Sequence, residues 1–362
     1  MREEIFNIDM HIKNCEYLKT IFNDNEVSIE KIDDGMLNNI YKIFSSSKCV
    51  IIKQYPDYII RDDKKIKLPL NRVNLEYSAI KKFKENTPRN ILKVLFFDEK
   101  NSLIILQYLE NYLTLEYLIH NFIAFDNISF RLSDSIARNL VFNSFKFSQD
   151  KKEFYNKFIN LDMKNYLLNT LFFINPSIVE KNKKIKKNLD ELEYKFINKN
   201  ETLLHGNLKT SSIMIRKENF FLIDFDACFL GPYGFELSYL IASFIKEYIY
   251  CKNIINNYEY AKYLLIEFSN IIVKFEKNFS KYYFEKSKNN LDIKEIMSDS
   301  FAYGSLQLLQ TVTKLHVLNK EVLKENEQNE LLEFTKHINK VSLFILENYK
   351  DIKRIEDLLV IL

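Results

Sequence analysis

The run Leu203-Leu204-His205-Gly206-Asn207-Leu208-Lys209-Thr210-Ser211-Ser212 is followed by Leu222-Ile223-Asp224-Phe225-Asp226 and then by Gly231-Pro232-Tyr233-Gly234-Phe235-Glu236. Leu203-Leu204, Ser212 to Ile215 and Phe220 to Ile223 read as short strands with polar connections. They interrupt a chain whose periodicity from about Leu113 onward is otherwise almost all helical. Glycine is scarce, 5 in the whole sequence, yet Gly206, Gly231 and Gly234 all fall in this stretch. A histidine, a polar loop and an acidic pair closing an apolar strand make the layout of a metal and phosphate site. Carboxylates at a strand end suit Mg²⁺, a hard cation that takes a few oxygen ligands and keeps several waters.

Upstream, Val27 to Ile32, Asn39 to Phe44 and Lys48 to Gln54 read as three strands, separated by the turn signals Asp33-Asp34-Gly35 and Ser45-Ser46-Ser47. Lys53 ends the apolar run Val50-Ile51-Ile52, so a rigid strand delivers a cation. After Pro69 the period changes. Leu70, Val73, Tyr77, Ile80 and Phe83 recur at three- and four-residue spacing, which marks an amphipathic helix. Glu76 on that helix is in sequence range to pair with Lys53 and orient it toward phosphates. Further strands fit Val94 to Asp98 and Leu103 to Gln107. The result is an α+β chain: a small sheet-rich lobe over residues 1–109 carrying one helix, and a mainly helical lobe over 110–362. Its helical stretches include Phe235 to Tyr250, Tyr263 to Phe275, Ile293 to Lys320 and Asn326 to Asn348. A strand lysine, a helix glutamate, a catalytic loop and a metal-binding aspartate are the recurring parts of phosphoryl transfer. Taken singly, Lys53 and Glu76 read as surface residues, His205 as a core histidine and Asp224 as a turn cap. Their order and spacing favour the kinase.

Composition narrows the class. The 362 residues carry 52 Lys+Arg against 49 Asp+Glu, a net charge of +3, and 47% are hydrophobic. That balance excludes a nucleic-acid-coating tail or a disordered chain and leaves a folded protein with no nucleic-acid partner. Cys15, Cys49, Cys228 and Cys251 form no Cys-x-x-Cys pair, so neither a zinc site nor a disulfide framework is expected, and a reducing compartment is the simplest home. Met1 to Ile12 is charged where a signal peptide needs an apolar core, and no apolar run approaches the roughly 18 residues of a membrane span. A cytoplasmic protein without a membrane partner is expected. The basic run Lys181, Lys183, Lys184, Lys186 and Lys187 leads straight into Asp190, Glu191 and Glu193 and reads as a solvated helix face. The apolar tail Leu358 to Leu362 reads as a docked terminal helix.

The segment His205 to Met214 resembles the catalytic loop of the aminoglycoside-phosphotransferase-like small-molecule kinases. It is most similar to that of methylthioribose kinases, where the loop runs His-Gly-Asp-Leu-His-Thr-Gly-Ser-Ile-Met. Gly231-Pro232-Tyr233-Gly234-Phe235-Glu236 is similar to their Gly-Pro-Met-Gly-Phe-Asp. Ile32-Asp33-Asp34-Gly35-Met36-Leu37-Asn38 sits where they carry the phosphate-covering Gly-Asp-Gly-Asn-Leu-Asn loop, and Leu70, Arg72 and Glu76 match the start of their glutamate helix. The resemblance spans about Met10 to His316. It implies a bilobal protein-kinase-like fold, ATP with Mg²⁺ as phosphoryl donor, and phosphorylation of the 1-hydroxyl of S-methyl-5-thioribose in methionine salvage. It further implies nucleotide binding by Gly35, Asn38, Lys53 and Glu76 and by the backbone of Gln107, Tyr108 and Leu109 at an adenine hinge. His205 and Asn207 would stand in the catalytic loop, and Asp224, Asp226 and Ser212 at the metal, Ser212 standing where generic members of the superfamily have Asn. A homodimer is also a family expectation.

Three departures surround one pocket. Asn207 occupies the position of the aspartate that orients the attacking hydroxyl and accepts its proton; an amide orients but takes no proton near neutral pH. Leu309-Gln310 stand where an arginine pair is expected to clamp the sugar, and the chain has no Trp for the family's substrate lid. A guanidinium fork recognises phosphate bidentately, which no neutral residue reproduces. Two principal readings follow: a divergent ATP-dependent kinase for methylthioribose or a related sugar, and a pseudokinase that binds nucleotide without transfer. A third is a scaffold that binds neither.

Overall fold

The computed structural model describes residues 8–23, 26–32, 37–61, 64–69, 71–125, 128–172, 182–318 and 325–362, without the side chains of 59–61, 64–66, 313–318 and 325–327. The chain divides into two compact units. The first takes residues 1–81 and 91–111, the second 82–90 and 112–362.

The first unit is built on a five-stranded antiparallel sheet in the order β1-β2-β3-β7-β6. Its strands are β1 Ser28–Ile32, β2 Asn39–Phe44, β3 Cys49–Gln54, β6 Val94–Asp98 and β7 Leu103–Gln107, within a residue of the sequence expectation. Strand alternation sorts the side chains. Val50 and Ile52 of β3, with Ile43, Leu103 and Ile105, bury one face against Cys15, Leu18 and Phe22. Those three residues come from α1 Ile8–Asn14, α2 Glu16–Phe22 and the joint between them, two helices that the short amphipathic pattern did not announce. Ile51 and Lys53 therefore point to the opposite face. A two-stranded hairpin, β4 Tyr58–Arg61 and β5 Lys64–Lys67, was also missed, its runs being only four residues each. Helix α3 spans Arg72–Asn86 and buries Val73, Ala79, Ile80 and Phe83 along the expected stripe; Leu70 and the turn residues Asp33 to Met36 lie outside the described residues. Tyr77 stacks on Phe97 with ring centroids 4.3 Å apart.

The second unit is mainly helical. Its early elements are β8 Leu113–Thr114, α4 Leu115–His120, α5 Ile128–Phe142, α6 Lys151–Phe158, α7 Leu161–Leu171 and α8 Lys183–Asn198. Helix α8 turns Ile185, Leu189, Leu192 and Phe196 inward and leaves Lys183, Lys184, Lys186 and Lys187 exposed, the solvated face expected; Lys181 lies outside the described residues. Then come β9 Thr202–Leu204, β10 Ile213–Arg216, β11 Asn219–Leu222 and β12 Phe229–Gly231. Strand β10 lies between β11 and β8, and β12 pairs with β9. Helices α9 Ser238–Asn253, α10 Tyr258–Ser287, α11 Ile293–Leu318 and α12 Glu325–Asn348 complete it. Helix α9 starts later than expected because Pro232 and Gly234 hold a 3₁₀ turn over Tyr233–Phe235, and α10 is longer at both ends. A Cβ on Gly234 would lie 2.7 Å from the Asp299 Cβ and 3.0 Å from the Ile296 carbonyl, so α11 packs directly on glycine backbone. Phe196, Phe229, Phe235 and Tyr303 meet edge to face or tilted around this point. The tail is a 3₁₀ turn, Ile355–Leu358, not the terminal helix expected; Ile355, Leu358 and Leu362 are buried while Val360 is exposed. Among the described residues no helix is long and apolar enough to cross a membrane.

Candidate active site

In the first unit, the alternation that turns Val50 and Ile52 into the core sends Lys53 toward α3. Its Nζ donates to both oxygens of Glu76, at 3.1 and 2.9 Å, and the two residues are 3% and 1% exposed. An ion pair this deep survives only when well bonded, and Tyr55 supplies a further donor: its hydroxyl bonds Glu76 Oε2. Tyr55 was not anticipated, although a residue two beyond Lys53 at a strand end falls on the same face. Asn38 is buried beside Arg72, whose Nη1 donates to its Oδ1 at 3.0 Å. Gln107 closes β7, its Oε1 accepting from Lys93 N at 3.2 Å. Tyr108 and Leu109 follow outside the strand, half-buried. Gly35 lies outside the described residues.

In the second unit, β9 leads into the loop at His205. Its ring is fully buried and packs on Phe225 with centroids 4.5 Å apart. Nε2 donates to the Ile223 carbonyl at 2.9 Å, and Nδ1 accepts from Asn207 N at 3.4 Å. These partners fix the neutral tautomer with its proton on Nε2. Gly206 has φ +79, and a Cβ there would collide with the Ala227 carbonyl, so only glycine fits. The Asn207 carbonyl accepts from Lys209 N at 2.9 Å and Ser212 Oγ at 3.0 Å. The Ser212 carbonyl in turn accepts from Ile223 N at 3.0 Å. That bond ties the loop to the acidic pair.

Asp224 has φ 68 and ψ 63. Left-handed backbone at a non-glycine residue costs about 1–3 kcal/mol and concentrates at functional sites. It caps the 3₁₀ turn Phe225–Ala227, which carries Asp226, and both carboxylates are half-buried. Glu236, also unanticipated in role, closes the site from below. Fully buried, it accepts from His205 N at 3.1 Å and Gly206 N at 3.3 Å, and burial pushes its carboxyl up to about 7 despite those two bonds. Gln310 on α11 donates to the Thr170 carbonyl, so the neutral residue standing for the expected arginine is committed inside the protein. Among the described residues no three His, Cys, Asp or Glu side chains gather as a metal cluster. A Mg²⁺ site of one or two carboxylates completed by phosphate oxygens requires none.

No protein-family model matches the chain. It is 25% identical to methylthioribose kinase 2 of Oryza sativa subsp. japonica over 243 residues, 61% of this chain and 57% of the relative, so it spans little more than half of that protein. It is 21% identical to the methylthioribose kinase of Bacillus velezensis over 358 residues, 92% of this chain and 90% of that one. Among solved structures, an amicoumacin kinase in complex with AMP-PNP and Ca²⁺ superposes with a TM-score of 0.51 at 14% identity, over 92% of this chain and 93% of that one. A choline/ethanolamine kinase family protein from Mesorhizobium loti does so at 0.51 and 11% identity, over 94% and 97%. The likeness to these solved structures shows a kinase-like fold, and in sequence the chain is similar to methylthioribose kinases.

Proposed function

We propose that this chain is an ATP-dependent small-molecule kinase that transfers the γ-phosphoryl group to a hydroxyl of methylthioribose or a related sugar. The observation that carries the reading is the buried Lys53–Glu76 pair, a costly arrangement in a fold whose relatives are kinases. In this reading Lys53, steadied by Glu76, meets the α and β phosphates, Asn38 and Gly35 belong to the segment over them, and Gln107 to Leu109 offer backbone to adenine. Asp224 and Asp226, with the Ser212 hydroxyl, are a hard-oxygen donor set that fits Mg²⁺, which when bound draws charge from the phosphate oxygens. His205 holds the loop through its two ring nitrogens. Asn207 orients the sugar hydroxyl without removing its proton, so transfer rests on positioning and electrostatics. General-base assistance is typically worth about 10²–10⁴ in rate.

The test is ATP consumption with methylthioribose and a panel of sugars and aminoglycosides, beside Asn207→Asp. Transfer to methylthioribose is expected, at least about tenfold faster in the variant. If both forms bind ATP and neither phosphorylates that sugar, the substrate assignment is wrong. Asn207 itself favours a second reading, a nucleotide-binding pseudokinase, whose signature is saturable ATP·Mg²⁺ binding with no turnover on any acceptor in either form.

A further inference from the structure

The guanidinium of Arg72, at the start of α3, spans more of the first unit's candidate site than any single role in the proposed reaction requires. Nη1 donates to Asn38 Oδ1 at 3.0 Å, and Nη2 to the Leu37 carbonyl at 3.3 Å and the Pro56 carbonyl at 3.0 Å. Its Cζ lies 5.5 Å from the centroid of the Tyr55 ring, and Lys53 Nζ lies 5.5 Å from the same centroid. Two cations thus lie close to the Tyr55 ring, whose hydroxyl holds Glu76. All of these groups belong to one compact unit. Arg72, Tyr55 and Asn38 are 9%, 3% and 9% exposed, so their geometry is set by packing and not by solvent.

Two consequences follow from donor and acceptor chemistry. With Oδ1 turned to the guanidinium, the planar Asn38 amide directs its two N–H donors away from Arg72, and donors are what phosphate oxygens need. The fork also grips two carbonyls from different segments, Leu37 just before β2 and Pro56 just after β3. An ammonium has no planar fork to make this set of contacts. Resting on the nucleotide-binding reading above, we propose that Arg72 is a positioning residue that orients the Asn38 amide and, through the Tyr55 ring, the Glu76–Lys53 pair for a bound triphosphate.

The test compares affinities of the full-length protein for ATP·Mg²⁺ and for adenosine, by calorimetry, in wild type, Arg72→Lys and Asn38→Asp. Arg72→Lys keeps the charge and removes the fork; it should weaken ATP about tenfold and adenosine less than twofold, a ratio that mere loss of stability does not move. Asn38→Asp keeps the acceptor for Arg72 and removes the donors. It should fold at least as stably and weaken ATP by a similar factor with adenosine again unchanged. A folded Arg72→Lys with an unaltered ATP-to-adenosine ratio overturns the proposal, and if that variant does not fold, an unaltered ratio in Asn38→Asp does so. Wild type that binds adenosine and ATP equally overturns it as well. Wild type that binds neither sinks the kinase reading and this inference with it.

Discussion

Glu236 shows how much a single carboxyl is asked to do. It is fully buried, it accepts from two backbone amides, and burial raises its carboxyl from an ordinary 4.5 to about 7. A group whose folded pKa lies above its unfolded one contributes stability that is fully present below about 4.5 and lost as pH rises through about 7. A shift of this size corresponds to about 3 kcal/mol. Glu236→Gln removes the titration, keeps one acceptor and loses the other. Denaturant unfolding at pH 5 and pH 8 should therefore show wild type losing about 2–3 kcal/mol more between the two than the variant; equal losses would refute the assignment. Neither this role nor those of Tyr55 and Arg72 was legible in the sequence. Each depends on which groups a side chain meets in the fold, whereas Lys53 was marked by its place at the end of an apolar strand run and Glu76 by its place on the following helix.

Among the elements, the 3₁₀ turn at Tyr233–Phe235 lies close against α11. Asp299 on that helix is buried, bonded to Lys195 of α8 at 2.8 Å, and burial carries its carboxyl up to about 6 even beside the lysine. A methyl group on Gly234 would strike the Asp299 Cβ and the Ile296 carbonyl. Gly234→Ala should cost about 1–3 kcal/mol through overpacking, read as a fall in thermal midpoint, and an unchanged midpoint would mean the turn can slide. The five strands of the first unit's main sheet and the four late helices were legible because their apolar residues keep one period over enough length. The joints were not: the Pro232–Gly234 turn delays α9, the terminal residues close as one 3₁₀ turn, and α1 and α2 have seven residues each, too few for periodicity to stand out.

For the whole molecule, a ligand bound only by the native state raises its stability by mass action, about 2.7 kcal/mol at a hundred times Kd. Saturating ATP with Mg²⁺ should raise the thermal midpoint of wild type, and Asp224→Ala should lose the Mg²⁺-dependent part of that rise. No shift in wild type selects a scaffold that kept only the fold. The sequence disclosed the kinase-like fold because the loop from His205 to Glu236 combines rare glycines with a fixed polar order. The acceptor stayed hidden because Leu309 and Gln310 carry no charge to betray one.

The loop around Asn207 is shaped by its neighbours: the His205 ring, the Ser212 hydroxyl and the Glu236 carboxylate grip main-chain atoms. Among the described residues the side-chain amide of Asn207 makes no hydrogen bond. In the proposed reading, folding and chemistry are separable at that position. A lineage can drift there between aspartate and asparagine, even by one nucleotide, and revert, without first acquiring compensating changes elsewhere.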